Sequence, residues 1–222
     1  MEVNGAITAA LVPKIRAALD AVEPDRFPAG AIVLLNSQGG DGIAAIEIGR
    51  IVRAAKAHVF VRGRCASACT YVLAGGVVRG AARDQAVAIH SPRLTTFVKG
   101  IGVVDINSAS NPNAARALDA ANQRSQDYFR EMGMPEALYT AMMAAPSDQT
   151  RYLDVAELPA LGLAGIDPAY RETRVPAAAA YYRISEDEYV RRTLAMPEIC
   201  LVGRTPAQEF ARCYGRVLQT GG

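Results

Sequence analysis

The chain has no tryptophan, only two histidines among its 222 residues, and no apolar run long enough to cross a bilayer. A membrane helix takes roughly 18 to 20 consecutive apolar residues. The longest candidates, residues 31–35 and 71–78, have the size of core segments. No basic run and no interleaving of basic with aromatic residues marks a nucleic-acid surface, and the formal net charge is only +2. The opening residues MEVNGAIT lack the basic and apolar regions of a signal peptide, so any signal segment is expected outside this chain. The two histidines, His58 and His90, do not stand at ligand-like spacing with the four cysteines, so no metal site and no cofactor is expected.

The cysteines form two local pairs, Cys65 with Cys69 and Cys200 with Cys213. An even count in local pairs fits two disulfides of an exported protein; it fits equally four reduced cysteines in a cytosolic core. Half of the residues are apolar and 21% are charged, the balance of one globular domain with a small appendage.

Along the chain, residues 11–23 have helical spacing, with Pro13 tolerable in the first turn and Pro24 and Pro28 ending the helix. Residues 31–35, AIVLL, are a continuous branched run that reads as a strand buried on both faces. The run stops at Asn36-Ser37-Gln38-Gly39-Gly40, and Asp41 is a good N-cap for a helix over 43–57. A strand over 58–61, a helix over 67–74 closed by Gly75-Gly76, and a strand over 86–90 follow. Residues 30–92 therefore predict strand, helix, strand, helix, strand on a parallel sheet. Residues 93–112 read as an exposed loop or lid. Helices are expected over 113–132 and 135–145, then a short strand or turn at 152 with a helix over 154–161. The tail from 174 holds an Ala/Tyr run, the acidic cluster Glu186-Asp187-Glu188 and a last helix over 206–218.

In parallel sheets, function gathers beyond the carboxyl ends of the strands. Three features fall there: the glycine loop, Ser67 in CASACT, and His90. Serine needs a neighbouring base to become a nucleophile, and two backbone N–H groups to hold the oxyanion that forms. Ser67 at a helix start, His90 at the end of the next strand and Gly39-Gly40 could supply these. Each has a plainer reading: a serine N-cap, a structural histidine, a turn. At helical spacing, Cys65 and Cys69 would hold their Cβ atoms about 5–6 Å apart, too far for a bridge. Cys65 is expected in the turn before the helix, where a bridge would lock the nucleophile. The alternative is two small buried residues. Cys200 and Cys213 bracket a turn in a way that suits a staple of the tail.

Taken together, these motifs resemble the proteolytic subunit of Clp protease and its relatives in the ClpP/crotonase superfamily. The residues that carry the likeness are Leu34-Leu35-Asn36-Ser37-Gln38-Gly39-Gly40, Ala66-Ser67-Ala68, Gly75 to Arg83, Ala88-Ile89-His90-Ser91-Pro92, and residues 151–163, RYLDVAELPALGL. Val3 to Ile7 is similar to the family's first strand. The C-x-S-A-C-T version is similar to exported, periplasmic ClpP-like proteins of bacteria. The resemblance implies an α/β fold of repeated ββα/βα units on a parallel sheet over residues 1–173. A helical extension, 174–222, would pack on that domain or on a neighbouring subunit.

The resemblance also implies roles. Ser67 becomes the nucleophile and His90 the general base, with an oxyanion hole from Ala68 and from Gly39 or Gly40. The family's aspartate falls on Thr150 here, so Asp148 is the expected third member and Thr150 its substitute. A serine–lysine dyad would have to draw on Lys14, Lys56 or Lys99, of which Lys99 in the lid could approach Ser67, although nothing in the spacing demands it. The expected activity is a serine peptidase on polypeptide substrates, in a homo-oligomer, with no nucleic-acid partner and no membrane span. A bacterial periplasmic or other exported location is expected, a cytoplasmic one being the alternative. A non-catalytic scaffold of the same fold and, more distantly, an acyl-CoA enzyme of the crotonase branch are the other functional readings.

Overall fold

The computed structural model describes residues 1–22, 30–203 and 205–221, so the expected helix stop at Pro24 and Pro28 lies outside the described residues. The chain opens with β1 (Glu2–Asn4), α1 (Val12–Asp20), β2 (Ile32–Ser37), α2 (Gly42–Ala54), β3 (His58–Ala66) and α3 (Cys69–Gly75). Next come β4 (Val78–Ala81), β5 (Val87–Ile89), β6 (Thr95–Val98), β7 (Gly102–Asp105), α4 (Pro112–Glu131) and α5 (Glu136–Ala144). The last elements are β8 (Arg151–Leu153), β9 (Gly165–Ile166), α6 (Pro168–Tyr182), α7 (Glu186–Cys200) and α8 (Ala207–Thr220).

The fold class is the expected one: an α/β protein with a mostly parallel sheet. β1, β2, β3 and β4 are consecutive parallel neighbours. β3 is shared between two partners. Its first half, His58 to Val61, pairs with β4; its end, Cys65 and Ala66, pairs with β5. β8 and β9 close the sheet antiparallel against β5 and β4.

The continuous apolar runs are explained by burial on both faces. Val33 and Leu35 of β2, with Val59 and Val61 of β3, join a core with Ile48, Val52 and Val72 of α2 and α3. The residues between them, Leu34 and Phe60, face a second core with Val175, Met196 and Phe210 of α6, α7 and α8. The period of two along a strand assigns alternate side chains to these two cores. Asp41 caps α2 as expected, its Oδ1 accepting from the amides of Ile43 (2.9 Å) and Ala44 (3.1 Å).

Several elements differ from expectation. Residues 93–112 are not irregular: β6 and β7 form a hairpin in register from Thr95–Asp105 to Val98–Gly102. Its strands span four residues each, too few for a readable period. β4 was hidden for the same reason. The helix expected over 154–161 is a single 3-10 turn, Val155–Glu157. Pro159 lacks the amide that a continuing helix would use. The tail holds two further helices, α6 and α7, each with an internal proline, Pro176 and Pro197. The acidic cluster is the first turn of α7, where carboxylates favour the helix dipole, and Ser185 Oγ caps that turn by accepting from the Glu188 amide. Cys200 and Cys213 are bonded, joining the end of α7 to α8. A closed loop of this length stabilises by about 3 kcal/mol.

His58 anchors the second core. It is buried, with Nδ1 2.8 Å from the Tyr214 hydroxyl and Nε2 3.0 Å from the Tyr170 hydroxyl. A neutral imidazole satisfies both contacts, one nitrogen donating and the other accepting. Burial pushes its pKa down to about 3. The unfolded chain therefore takes up a proton as pH falls below 6.5, while the folded chain does not until about pH 3. Stability contributed above pH 6.5 is lost on acidification, by about 2 kcal/mol at pH 5 from this residue. Denaturant midpoints at pH 7 and pH 5 should show a smaller drop in His58→Gln than in the parent chain.

Candidate active site

Three strand ends converge. Ser37, at the end of β2, is in register with Cys65 near the end of β3. Ala66 of β3 is in register with Ala88 of β5. The Ser67 amide extends that ladder, donating to the Ala88 carbonyl at 3.0 Å. Ser67 and His90 thus follow the ends of two adjacent parallel strands, and the glycine loop follows a third. This is the edge at which sequence placed them.

Ser67 is not an N-cap. α3 begins at Cys69, and Ser67 lies one residue before the cap position, Ala68. Its backbone is left-handed, with φ of 55°. For a residue with a Cβ this costs about 1–2 kcal/mol. Three contacts hold it there. The Ser67 carbonyl accepts from the Thr70 amide (3.0 Å) and the Thr70 hydroxyl (2.6 Å). Cys65 and Cys69 are bonded, with Cα atoms 5.1 Å apart, closing a loop around the serine. Cys65 is on the strand and Cys69 on the helix, so helical spacing does not apply to them. Gly39 presses on the same turn: a Cβ there would lie 2.8 Å from the Ala66 carbonyl and 2.8 Å from Ser67 Cβ.

The two glycines differ. The Gly39 amide donates to Ser37 Oγ at 3.0 Å. The amides of Gly40 and Ala68 find no acceptor among the described residues. Both residues line the same cleft as Ser67 and His90. Unpaired N–H groups at a cleft wall are what a developing oxyanion requires. Gly40, at φ of 141°, is fixed because a Cβ would fall 2.2 Å from the Ile7 carbonyl.

His90 Nδ1 donates to the Ser91 carbonyl at 2.7 Å, leaving Nε2 as the acceptor nitrogen. Ser67 Oγ and the imidazole face one cleft without a hydrogen bond between them. The last β5–β8 pair is Ile89 with Arg151, which carries Thr150 to the position beside His90. Thr150 lines the cleft; Asp148 is exposed and is not among the residues that line it. Lys14, Lys56 and Lys99 do not line it either. The Ser91 carbonyl was missed in sequence because every residue carries that group. The far wall, from Tyr71 and from Arg124 and Ser125 of α4, was missed because helical spacing does not say what a helix faces.

No family model matches the sequence, and no curated protein matches it. Solved structures do. A ClpP1 point mutant from Listeria monocytogenes matches with a TM-score of 0.51 at 17% identity, covering 74% of this chain and 87% of the other. A serine-to-alanine mutant of the 1510-N membrane-bound stomatin-specific protease matches with a TM-score of 0.51 at 18% identity, covering 73% and 75%. At these identities the likeness is one of fold.

Gly39 and Gly100 both have left-handed backbones, but a Cβ at Gly100 meets nothing within 4 Å. Gly100→Ala should cost about 1 kcal/mol and Gly39→Ala roughly 2–4 kcal/mol by chemical denaturation. The difference reports how tightly the glycine loop bears on the Ser67 turn.

Proposed function

We propose that the protein is a ClpP-like serine hydrolase, a peptidase that cleaves polypeptide through an acyl-enzyme on Ser67. The observation that carries this reading is Ser67 itself. A side-chain-bearing residue is held left-handed on a strand-to-helix turn, in a cleft with two unpaired amides and a histidine. Backbone strain of this kind points to function when the surroundings enforce it.

Ser67 Oγ would attack the scissile carbonyl carbon as its proton passes to His90 Nε2. The carbonyl oxygen, now negative, would accept from the Gly40 and Ala68 amides. The imidazolium would then protonate the leaving amine, and water would hydrolyse the ester by the reverse proton route. We assign the orientation of His90 to the Ser91 carbonyl, through the Nδ1 bond, rather than to Asp148. A neutral carbonyl stabilises imidazolium less than a carboxylate does. Loss of the carboxylate from a serine-protease triad costs about four orders of magnitude, so turnover should be slow and acylation easier to detect. The Ser67–His90 gap must close when substrate enters, as catalytic hydrogen bonds often tighten only in the complex.

Both cysteine pairs bonded within the chain support an oxidising location outside the cytoplasm, and a bacterial periplasmic or other exported setting belongs to this reading. So does self-association into a homo-oligomer. The open Ser67–His90 pair, with no carboxylate on the imidazole, favours a second reading: a scaffold of this fold that binds partners without catalysis.

Labelling with a fluorophosphonate probe decides between them. The parent chain should label at one site, Ser67→Ala should not, and His90→Ala should label at least about a hundredfold more slowly. Folded parent protein that never labels would establish the scaffold. In the same assay Asp148→Asn should stay within about twofold of the parent. A loss near that of His90→Ala would return Asp148 to the triad.

A further inference from the structure

We propose that the cleft beside Ser67 is a subsite for an acidic side chain, with Arg124 as the cation that selects it. The inference rests on the hydrolase reading and names its substrate class: polypeptide with glutamate or aspartate immediately before the bond that is cut.

The position of the cleft assigns it to the acyl side. Its apolar walls come from Ile43 and Ile46 of α2, Tyr71 of α3, Ala121 of α4 and Met142 of α5. α2 and α3 follow directly on the two residues, Gly40 and Ala68, whose amides would hold the carbonyl oxygen. His90, which must face the leaving amine, follows β5 beside Thr150, at the strand ends and not on those helices. A residue whose carbonyl lies between Gly40 and Ala68 therefore turns its side chain toward α3 and α4. The cleft of about 490 Å³ is large enough for that side chain and a length of main chain.

The charges lining the cleft are unequal. Asp41 is the carboxylate among the lining residues, and its Oδ1 is already shared by two amides at the start of α2. Arg93 lies 3.6 Å from Asp105 across the hairpin. Arg124 has no hydrogen bond or ion pair among the described residues. The nearest carboxylate ahead of it on α4, Asp127, is taken by Arg130 (3.0 Å) and Gln123 (2.9 Å). A cation without a counterion thus borders an apolar cleft beside a nucleophile.

The floor of the cleft cannot supply the donor instead. Tyr71 OH and Ser125 Oγ are buried and 2.6 Å apart. Ser125 Oγ donates its proton to the Ala121 carbonyl at 2.9 Å, so the Tyr71 proton goes to Ser125. Burial pushes the Tyr71 phenol up, and the Arg124 charge acts against it, so the guanidinium is within electrostatic reach of the floor. With both hydroxyl protons spent, a carboxylate entering here finds its donor in Arg124, while its methylenes lie on Ile46, Ala121 and Met142. Arginine suits the task because its planar fork matches a carboxylate's two oxygens.

Arg124 is solvent-exposed, so the preference should be moderate. The test uses peptidyl phosphonate esters that differ only in the residue bearing the phosphorus, in its glutamate, glutamine and lysine forms, beside the small uncharged fluorophosphonate. In the parent chain the glutamate probe should label Ser67 roughly tenfold faster than the glutamine probe, with the ratio falling as salt is raised. Arg124→Gln should bring that ratio near unity. Arg124→Glu should reverse the order of the glutamate and lysine probes. Arg93→Gln, whose arginine is paired with Asp105, should keep most of the ratio. Fluorophosphonate labelling with equal glutamate and glutamine rates would overturn the acidic subsite and leave the hydrolase standing. Loss of the ratio in Arg93→Gln but not in Arg124→Gln would overturn the assignment to Arg124. Folded protein that no probe labels, the fluorophosphonate included, would overturn the hydrolase reading and the subsite with it.

Discussion

Every other part of the candidate site takes its position from the turn between β3 and α3. In about four residues the chain must leave a buried strand, expose one side chain to the cleft and enter a buried helix. The left-handed backbone of Ser67 is what makes that reversal, and left to itself it would relax. It is held by a covalent loop from Cys65 to Cys69, by Thr70 bonding back to its carbonyl, and by the bare backbone of Gly39 pressed against it. A closed loop of five residues contributes about 2 kcal/mol, comparable to the backbone strain it opposes. The candidate oxyanion donors belong to the same region: the Ala68 amide lies in the turn, and among the described residues the Gly40 amide has no acceptor whereas the Gly39 amide donates to Ser37 Oγ.

The sheet supplies the rest of the geometry. Because β3 changes partner from β4 to β5 partway along, the end of β5 comes level with the end of β3, and His90 arrives beside the turn. β8 then pairs antiparallel with β5 and delivers Thr150 to the histidine. The second core does a different task. Leu34 and Phe60 of the central strands need cover on the face away from α2 and α3, and α6, α7 and α8 provide it. His58 and its two tyrosines tie that layer to the first residue of β3, at the opposite end of the strand from Ser67. The tail therefore steadies the strand that leads to Ser67, and none of its described residues lines the cleft.

The residues with chemistry were largely legible. Ser67, His90 and the glycine loop each had an ordinary explanation alone, and it was their order on alternating strands and helices that put them at one edge. What blurred the reading was local. Serine before a helix is usually a cap, so Ser67 reads as one in sequence, and a left-handed φ cannot be read from a residue type that rarely adopts it. The hairpin at 95–105 and the strand at 78–81 were too short to carry a period. α6 and α7 were obscured by prolines that the surrounding packing tolerates.

By itself the sequence determined the parallel α/β core and the elements that carry Ser67 and His90, and left open whether the two local cysteine pairs are bonded. These depend on periodicity, on turn residues and on short separations, which are local quantities. Tertiary structure alone decided that Ser67 is left-handed and not a cap. It also decided that the Ser91 carbonyl accepts from the histidine ring, that Gly40 and not Gly39 has an amide without an acceptor among the described residues, and that α4 brings Arg124 to the cleft. Each of those depends on which backbone group or helix face meets another across many intervening residues. That information lies in how the strands register and the helices pack, not in the identity of any one residue.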